Sequence, residues 1–111
     1  MSQTTTLILL PQTVHNDGTV VGDAKAAASY YMGNRDLQTI NWNVAYVTGT
    51  IQIQATLATT PVESDWFSVY EITYDNESAT SFVNIPGNFV WMRAVVTNFS
   101  LGTIQYIKMS Y

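Results

Sequence analysis

Between Leu37 and Ala58 apolar and polar residues alternate with a period of two. Ile40, Trp42, Val44 and Tyr46 alternate with Asn41, Asn43 and Ala45. Beyond Thr48-Gly49, Ile51, Ile53, Ala55 and Leu57 alternate with Thr50, Gln52, Gln54 and Thr56. Successive side chains of a strand point to opposite faces, so each run buries one face and offers the other to water or a partner. Thr48-Gly49 reads as the turn of a hairpin joining the two runs.

The rest of the chain follows the same grammar. Thr4–Leu10 is β-branched and apolar and stops at Pro11, as an edge strand or docking arm would. His15-Asn16-Asp17-Gly18 suits a tight hairpin whose short return is Thr19–Val21. Ala24–Ser29 is the only helix-favouring patch, too short to be stable alone. Its reading stays open between a helical turn and the start of a strand. Trp66–Tyr74 and Ala79–Ile85 are strands around the polar turn Asp75–Ser78. Asn88–Phe99 and Thr103–Tyr111 form a last pair around Ser-Leu-Gly. Neither strand of that pair has a clean wet side, so cover is expected on both faces. With about eight short strands and regular turn signals, the expected fold is all-β. It is a single antiparallel β-sandwich, jelly-roll-like, spanning residues 1–111, with 1–10 as N-terminal arm or edge strand.

The surface of such a domain must be built with few charges. Charged residues make up 11% of the 111, less than half of the usual ~25%. Thr, Ser, Asn and Gln must therefore supply most polar surface. The net charge is −4, and Lys25, Arg35, Arg93 and Lys108 are scattered. Nucleic acid needs a basic stripe and an anionic membrane a basic cluster, so neither is an expected partner. No apolar run approaches the ~20 residues of a membrane helix. The start MSQTTTLILLPQ has no basic region ahead of its short apolar run Leu7–Leu10, which argues against a signal peptide.

Catalytic equipment is sparse. There is no cysteine and a single histidine, His15. That removes thiolate chemistry, leaves no His-rich zinc site, and leaves a turn histidine as the sole imidazole for a triad, with no Gly-x-Ser-x-Gly elbow to present a serine. Asp17 and Asp75-Asn76-Glu77 could offer oxygen to calcium, but short acidic turns are common and no EF-hand pattern is present. Glu63 and Asp65 sit in one loop, where turn and capping roles outweigh a paired-carboxylate hydrolase. No enzyme activity and no cofactor are expected.

Two binding chemistries remain. Flat rings and planar amides suit sugars, and Trp66 and Tyr70 are the candidate glycan contacts, with Phe67 and Val69 filling the core side. Most aromatics in so small a protein must nevertheless fill the core. Arg93 lies mid-strand, where a charge needs a partner. It is expected to pair a carboxylate such as Asp65 or Glu71, to stack on an aromatic ring, or to bridge subunits. The second chemistry is assembly. Two lysines and three prolines are few protective devices for so many strand edges. Covered edges in an oligomer resolve this, with the arm 1–10 donated to a neighbour. The candidate interface comprises Leu7, Leu9, Tyr30, Tyr31, Pro61 and Arg93.

The stretches VTGTIQIQATLATTPVESDWFSV and IPGNFVWMRAVVTNFSLGTIQYIKMSY together resemble small β-sandwich virion proteins of tailed bacteriophages. Those proteins serve as capsid decorations or as neck, tail and fibre components. The resemblance covers roughly residues 47–111 and rests on packing motifs. It implies a non-enzymatic structural protein of a virion, made in the host cytoplasm and commonly a symmetric homo-oligomer. Its partners would be other virion proteins and itself. The alternative expectation is a carbohydrate-binding module that attaches a particle or enzyme to a glycan.

Overall fold

The computed structural model describes residues 6–15, 18–27 and 37–110. Tyr30 and Tyr31 lie outside them. Seven strands form among the described residues: β1 (Thr6–Leu10), β2 (Thr13–Val14), β3 (Gly18–Val21), β4 (Lys25–Ala26), β5 (Leu37–Thr56), β6 (Phe67–Pro86) and β7 (Trp91–Ser110). All pairing is antiparallel. The order is β1-β7-β5-β6, with β2, β3 and β4 also on β7. The N-terminal segment thus runs along one edge of β7 in four short pieces, from Ser110 back to Trp91.

Length decides the architecture. A straight strand of 20 residues spans about 66 Å, yet the longest dimension of the molecule is 39 Å and the shortest 18 Å. β5, β6 and β7 must therefore fold over near their middles. They do so at one level, where Tyr46 (φ 54°), Asn76 (φ 52°), Asn98 (φ 54°) and Gly102 (φ 89°) take left-handed conformations. The ladders slip at the same level, between Val44 and Gly49 on β5. The result is two four-stranded layers. The first holds β1 and β2, then 101–110 of β7, 37–45 of β5 and 77–86 of β6. The second holds β3 and β4, then 91–97 of β7, 49–56 of β5 and 67–74 of β6. This is the jelly-roll sandwich that the spacing of turn signals predicts.

The expected hairpins are corrected by this geometry. Thr48-Gly49, Asp75–Ser78 and Ser100–Gly102 do not reverse the chain; they are corners at which a strand passes from one sheet to the other. β3 likewise pairs β7 and does not return on β1. The corner backbone is satisfied locally: Tyr46 N–H donates to Ser78 Oγ (2.9 Å) and Asn76 N–H to Thr48 Oγ1 (3.0 Å). Within Ala24–Ser29, Lys25–Ala26 is strand and Ala27 is buried, which settles the described part against a helical turn.

The core lies between the layers. Ile40, Trp42, Val44, Ile104, Ile107 and Met109 face Ile51, Ile53, Ala55, Met92, Ala94 and Val96, all fully or almost fully buried. Trp42 is the largest of them. It belongs to the first layer, and its indole N–H donates to Tyr74 Oη of the second at 2.8 Å. Its ring also meets Tyr70 at 5.8 Å. At the far end, buried Gln38 donates to the carbonyls of Ile85 (2.8 Å) and Gly87 (3.4 Å). These bonds fix the crossing by which β6 in the first layer leads to β7 in the second.

Two substitutions test this account. Gly102→Ala adds a Cβ that overlaps the Tyr46 carbonyl at a left-handed φ. It should cost about 3 kcal/mol or more of unfolding free energy. Tyr74→Phe strands a buried indole donor and should cost about 1–3 kcal/mol. Urea denaturation reads both, and wild-type midpoints would refute the corner and the inter-layer bond respectively.

Candidate functional site

The two outer faces of the sandwich differ in kind. On the second layer, Gln52 and Gln54 of β5 point away from the core because Ile51, Ile53 and Ala55 point into it. Opposite them stand Val95 and Arg93 of β7, and Glu71 and Ser68 of β6. Arg93, Gln54, Gln52 and Glu71 build one continuous polar ladder. Arg93 Nε donates to Gln54 Oε1 (2.8 Å), Gln54 Nε2 to Gln52 Oε1 (3.2 Å), and Gln52 Nε2 to Glu71 Oε2 (3.0 Å). A guanidinium that can only donate and a carboxylate that accepts fix the direction of both amides between them.

The other side of the guanidinium holds a loop. Residues 57–66 carry a single 3-10 turn, Glu63–Asp65, closed by Asp65 Oδ2 accepting from Val62 N–H at 2.9 Å. Arg93 donates through both terminal nitrogens to Glu63, at 2.6 and 3.2 Å. Its guanidinium carbon lies 4.4 Å over the Trp66 ring, and Trp91 Nε1 donates to the Thr59 carbonyl at 3.1 Å. The loop is thereby strapped onto the sheet, and Arg93 is left only 8% exposed. Of the expected roles for Arg93, stacking and a carboxylate partner are both present. The carboxylate is Glu63, not Asp65 or Glu71. Every donor position of Arg93 used here is taken by its own chain, so in this structure it is a strap. The double cover expected for β7 is present at Arg93: core on one side, the chain's own loop on the other.

Trp66 and Tyr70 are not on one surface. Tyr70 stands opposite inward-facing Ile53, while Ser68 stands opposite outward-facing Gln54. The register slips by one residue at Val69, so the alternation Trp66, Ser68, Tyr70 breaks. Trp66 stays on the outer face against Arg93, whereas Tyr70 turns in against Trp42. Phe67, expected in the core, is partly exposed at the strand end and meets Phe89. Leu9 is also moved: it is buried in the core, and β1 pairs the chain's own β7, with Leu7 packed beside it. Thr6–Leu10 is therefore an edge strand of its own sheet. Pro61 is half-buried in the strapped loop.

The first layer presents a flat face with few charges. In one row Ile8, Lys108, Asn41 and Phe82 stand side by side across four strands. Neighbouring rows bring Tyr106, Asn43 and Thr80, then Thr6, Ser110, Thr39 and Asn84. Thr39 Oγ1 donates to Asn84 Oδ1 (2.6 Å) and Asn43 Nδ2 to Thr80 Oγ1 (3.0 Å). Lys108, the one charge in these rows, lies 4.3 Å over the Tyr106 ring. Ile8, Leu37 and Phe82 are 50%, 52% and 64% exposed. Nothing in the sequence alone marked this face, because the register that aligns its rows is set by long-range pairing. Among the described residues no group of three or more His, Cys, Asp or Glu is placed to hold a metal ion.

The strap has a pH signature. The hydrogen bond from Arg93, followed by its charge, lowers the Glu63 carboxyl below its ordinary value of 4.5. A carboxyl lowered on folding stabilises the fold above its unfolded value, and that contribution is lost as pH falls through the folded value. The loop should therefore loosen only below about pH 4.5. The Trp66 part of the fluorescence, taken as wild type minus Trp66→Phe, should titrate there and become flat in Glu63→Gln. A titration that persists in Glu63→Gln would disprove the assignment.

No family model matches the chain, and no curated protein matches it in sequence. Among solved structures it is similar to the SPBc2 prophage-derived protein YomS, with 8% identity, 97% of this chain and 91% of that one covered, and a TM-score of 0.63. It is also similar to CBM29_1, a family 29 carbohydrate binding module from Piromyces equi, with 12% identity, 98% and 91% covered, and a TM-score of 0.54. A third is the K1 cleaved adhesin domain of Lys-gingipain from Porphyromonas gingivalis W83, with 12% identity, 95% and 97% covered, and a TM-score of 0.51. At such identities the likeness is one of fold: this jelly roll is shared with a prophage-derived protein, a carbohydrate-binding module and an adhesin domain.

Proposed function

We propose that the protein is a non-enzymatic structural component of a virus particle, a capsid decoration or a neck, tail or fibre part, acting through protein–protein contacts. The observation that carries this reading is the outer face of the first layer. It spans four strands, exposes Ile8, Leu37 and Phe82, and holds one charge in its rows, itself stacked on Tyr106. Desolvating a charge is the chief cost of covering a polar surface, and interface cores are depleted in charge and rich in aromatics. A face of amides, hydroxyls and rings is cheap to bury and able to hydrogen-bond once buried. The resemblance of residues 47–111 to phage virion proteins supports the setting, as does the fold shared with a prophage-derived protein. Mass spectrometry of purified particles of the virus encoding this chain should find it as a stoichiometric component. Its absence from those particles would overturn the reading.

A second reading has its own observation. The outer face of the second layer sets partly exposed Trp66 and Trp91 beside an amide ladder, on a fold shared with a carbohydrate-binding module. A glycan contact there predicts saturable binding on a glycan array that Trp66→Ala removes and Tyr70→Ala, on the core side, does not selectively remove.

A further inference from the structure

The two free edges of the folded sheet are unlike. One edge is formed by β1 to β4, four pieces of two to five residues with slips at Ile8/Leu10 and Gly18/Val20. Short, slipped pieces of this kind resist addition of another strand. The other edge is β6, 20 residues long and paired, among the described residues, only with β5. Its first half carries Glu71 and a slip at Val69, and its corner carries Asp75 and Glu77. Its second half has none of these devices. Ala79–Pro86 pairs 37–44 through eight consecutive positions without a slip, bears no charge, and has no proline before its last residue. Thr80, Phe82 and Asn84 point outward along it and are exposed.

We propose that Ala79–Pro86 is the edge at which a second copy of this chain pairs, antiparallel and about a two-fold axis at Phe82. This rests on the assembly reading above and names the partner and the contact. The occupant is a copy of the chain because the stretch is complementary to itself in that register. Phe82 meets Phe82, and Thr80 stands opposite Asn84 on the outward side. Ser81 stands opposite Val83, and Ala79 opposite Ile85, on the inward side. No like charges meet. Asp75 and Glu77 fall beyond the end of the paired strand, so the acids of the two copies do not confront each other. An antiparallel two-fold pair is also the symmetric, closed arrangement: each copy uses this edge once and growth through it stops. The pairing joins the two first layers into one sheet of eight strands.

Sedimentation of the wild-type chain over a wide concentration range should show a monomer–dimer equilibrium. Phe82→Glu and Phe82→Lys each place like charges face to face across the axis and should weaken the dimer about tenfold or more. An equimolar mixture of the two should restore it. Phe82 is 64% exposed, so both variants should keep the wild-type fold. A second route avoids charge altogether. The chain has no cysteine, and directly opposed residues of antiparallel strands have Cα atoms about 4.5–5.5 Å apart, within disulfide reach. Phe82→Cys should therefore oxidise to a covalent dimer, whereas Thr73→Cys, on the other half of β6, should not. A wild-type chain that stays monomeric overturns this inference. So does an oligomer indifferent to both Phe82 charges, but that result leaves assembly itself standing. The assembly reading falls separately, if the chain is missing from its particle.

Discussion

The structure depends on β7 having a hydrogen-bonding partner along both edges. β7 is central in both layers, and Met92–Val96 are all buried. Backbone N–H and C=O groups buried without partners are costly, so a strand this deep must be laddered on both sides. β5 supplies one side over its full length, and the N-terminal segment supplies the other in four pieces. Once β5, β6 and β7 bend together, the layers close on Trp42. That indole reaches across to Tyr74 and Tyr70. The corners and the core are thus one constraint seen twice. Without left-handed Tyr46, Asn76, Asn98 and Gly102 at a common level, the inward residues of the two halves would never meet.

The class of fold was legible in the sequence, because period-two alternation and turn signals are local properties. The topology was misread for a physical reason. An Asn or Gly that permits a positive φ serves a tight hairpin and a sheet corner equally well. Only the pairing of both flanking runs with the same neighbours distinguishes them, and that pairing is remote in sequence. The same limit explains Tyr70. Strict alternation puts it beside Trp66, but one inserted residue at Val69 reverses every later side chain on that run. Arg93 was visible as a residue that must be paired. Its partner Glu63 lies thirty positions away in a loop whose path no local pattern prescribes. The amide ladder of Gln52 and Gln54 was likewise hidden in what read as an ordinary wet face.

The two outer faces divide the electrostatics of the molecule. The second layer gathers Arg93, Glu63 and Glu71 into a network whose members satisfy one another. A network so closed holds a loop in place and gives a visiting ligand few unmet donors. Apart from Lys108, which stacks on Tyr106, the outward rows of the first layer keep their polar groups neutral and their apolar groups scattered among them. Such a face tolerates water when free and loses little when covered. This contrast, more than any single residue, separates a face whose side chains hold the chain's own loop from one whose side chains are left to the solvent.

The position of β7 in the chain also governs when the protein can fold. It follows every strand it pairs with, and among the described residues those strands have no other partner except β5 with β6. On a ribosome, the N-terminal pieces and one edge of β5 must wait until residues 91–110 have emerged. Among the described strands only the β5–β6 pair can form earlier, with its inward apolar face uncovered. Folding is therefore dominated by contacts distant in sequence, which form slowly because long loops close before any contact repays them. Until β7 is available, the most regular strands of the chain have nothing to cover their inward face. An uncovered apolar face of this kind is where a nascent chain is most exposed to aggregation.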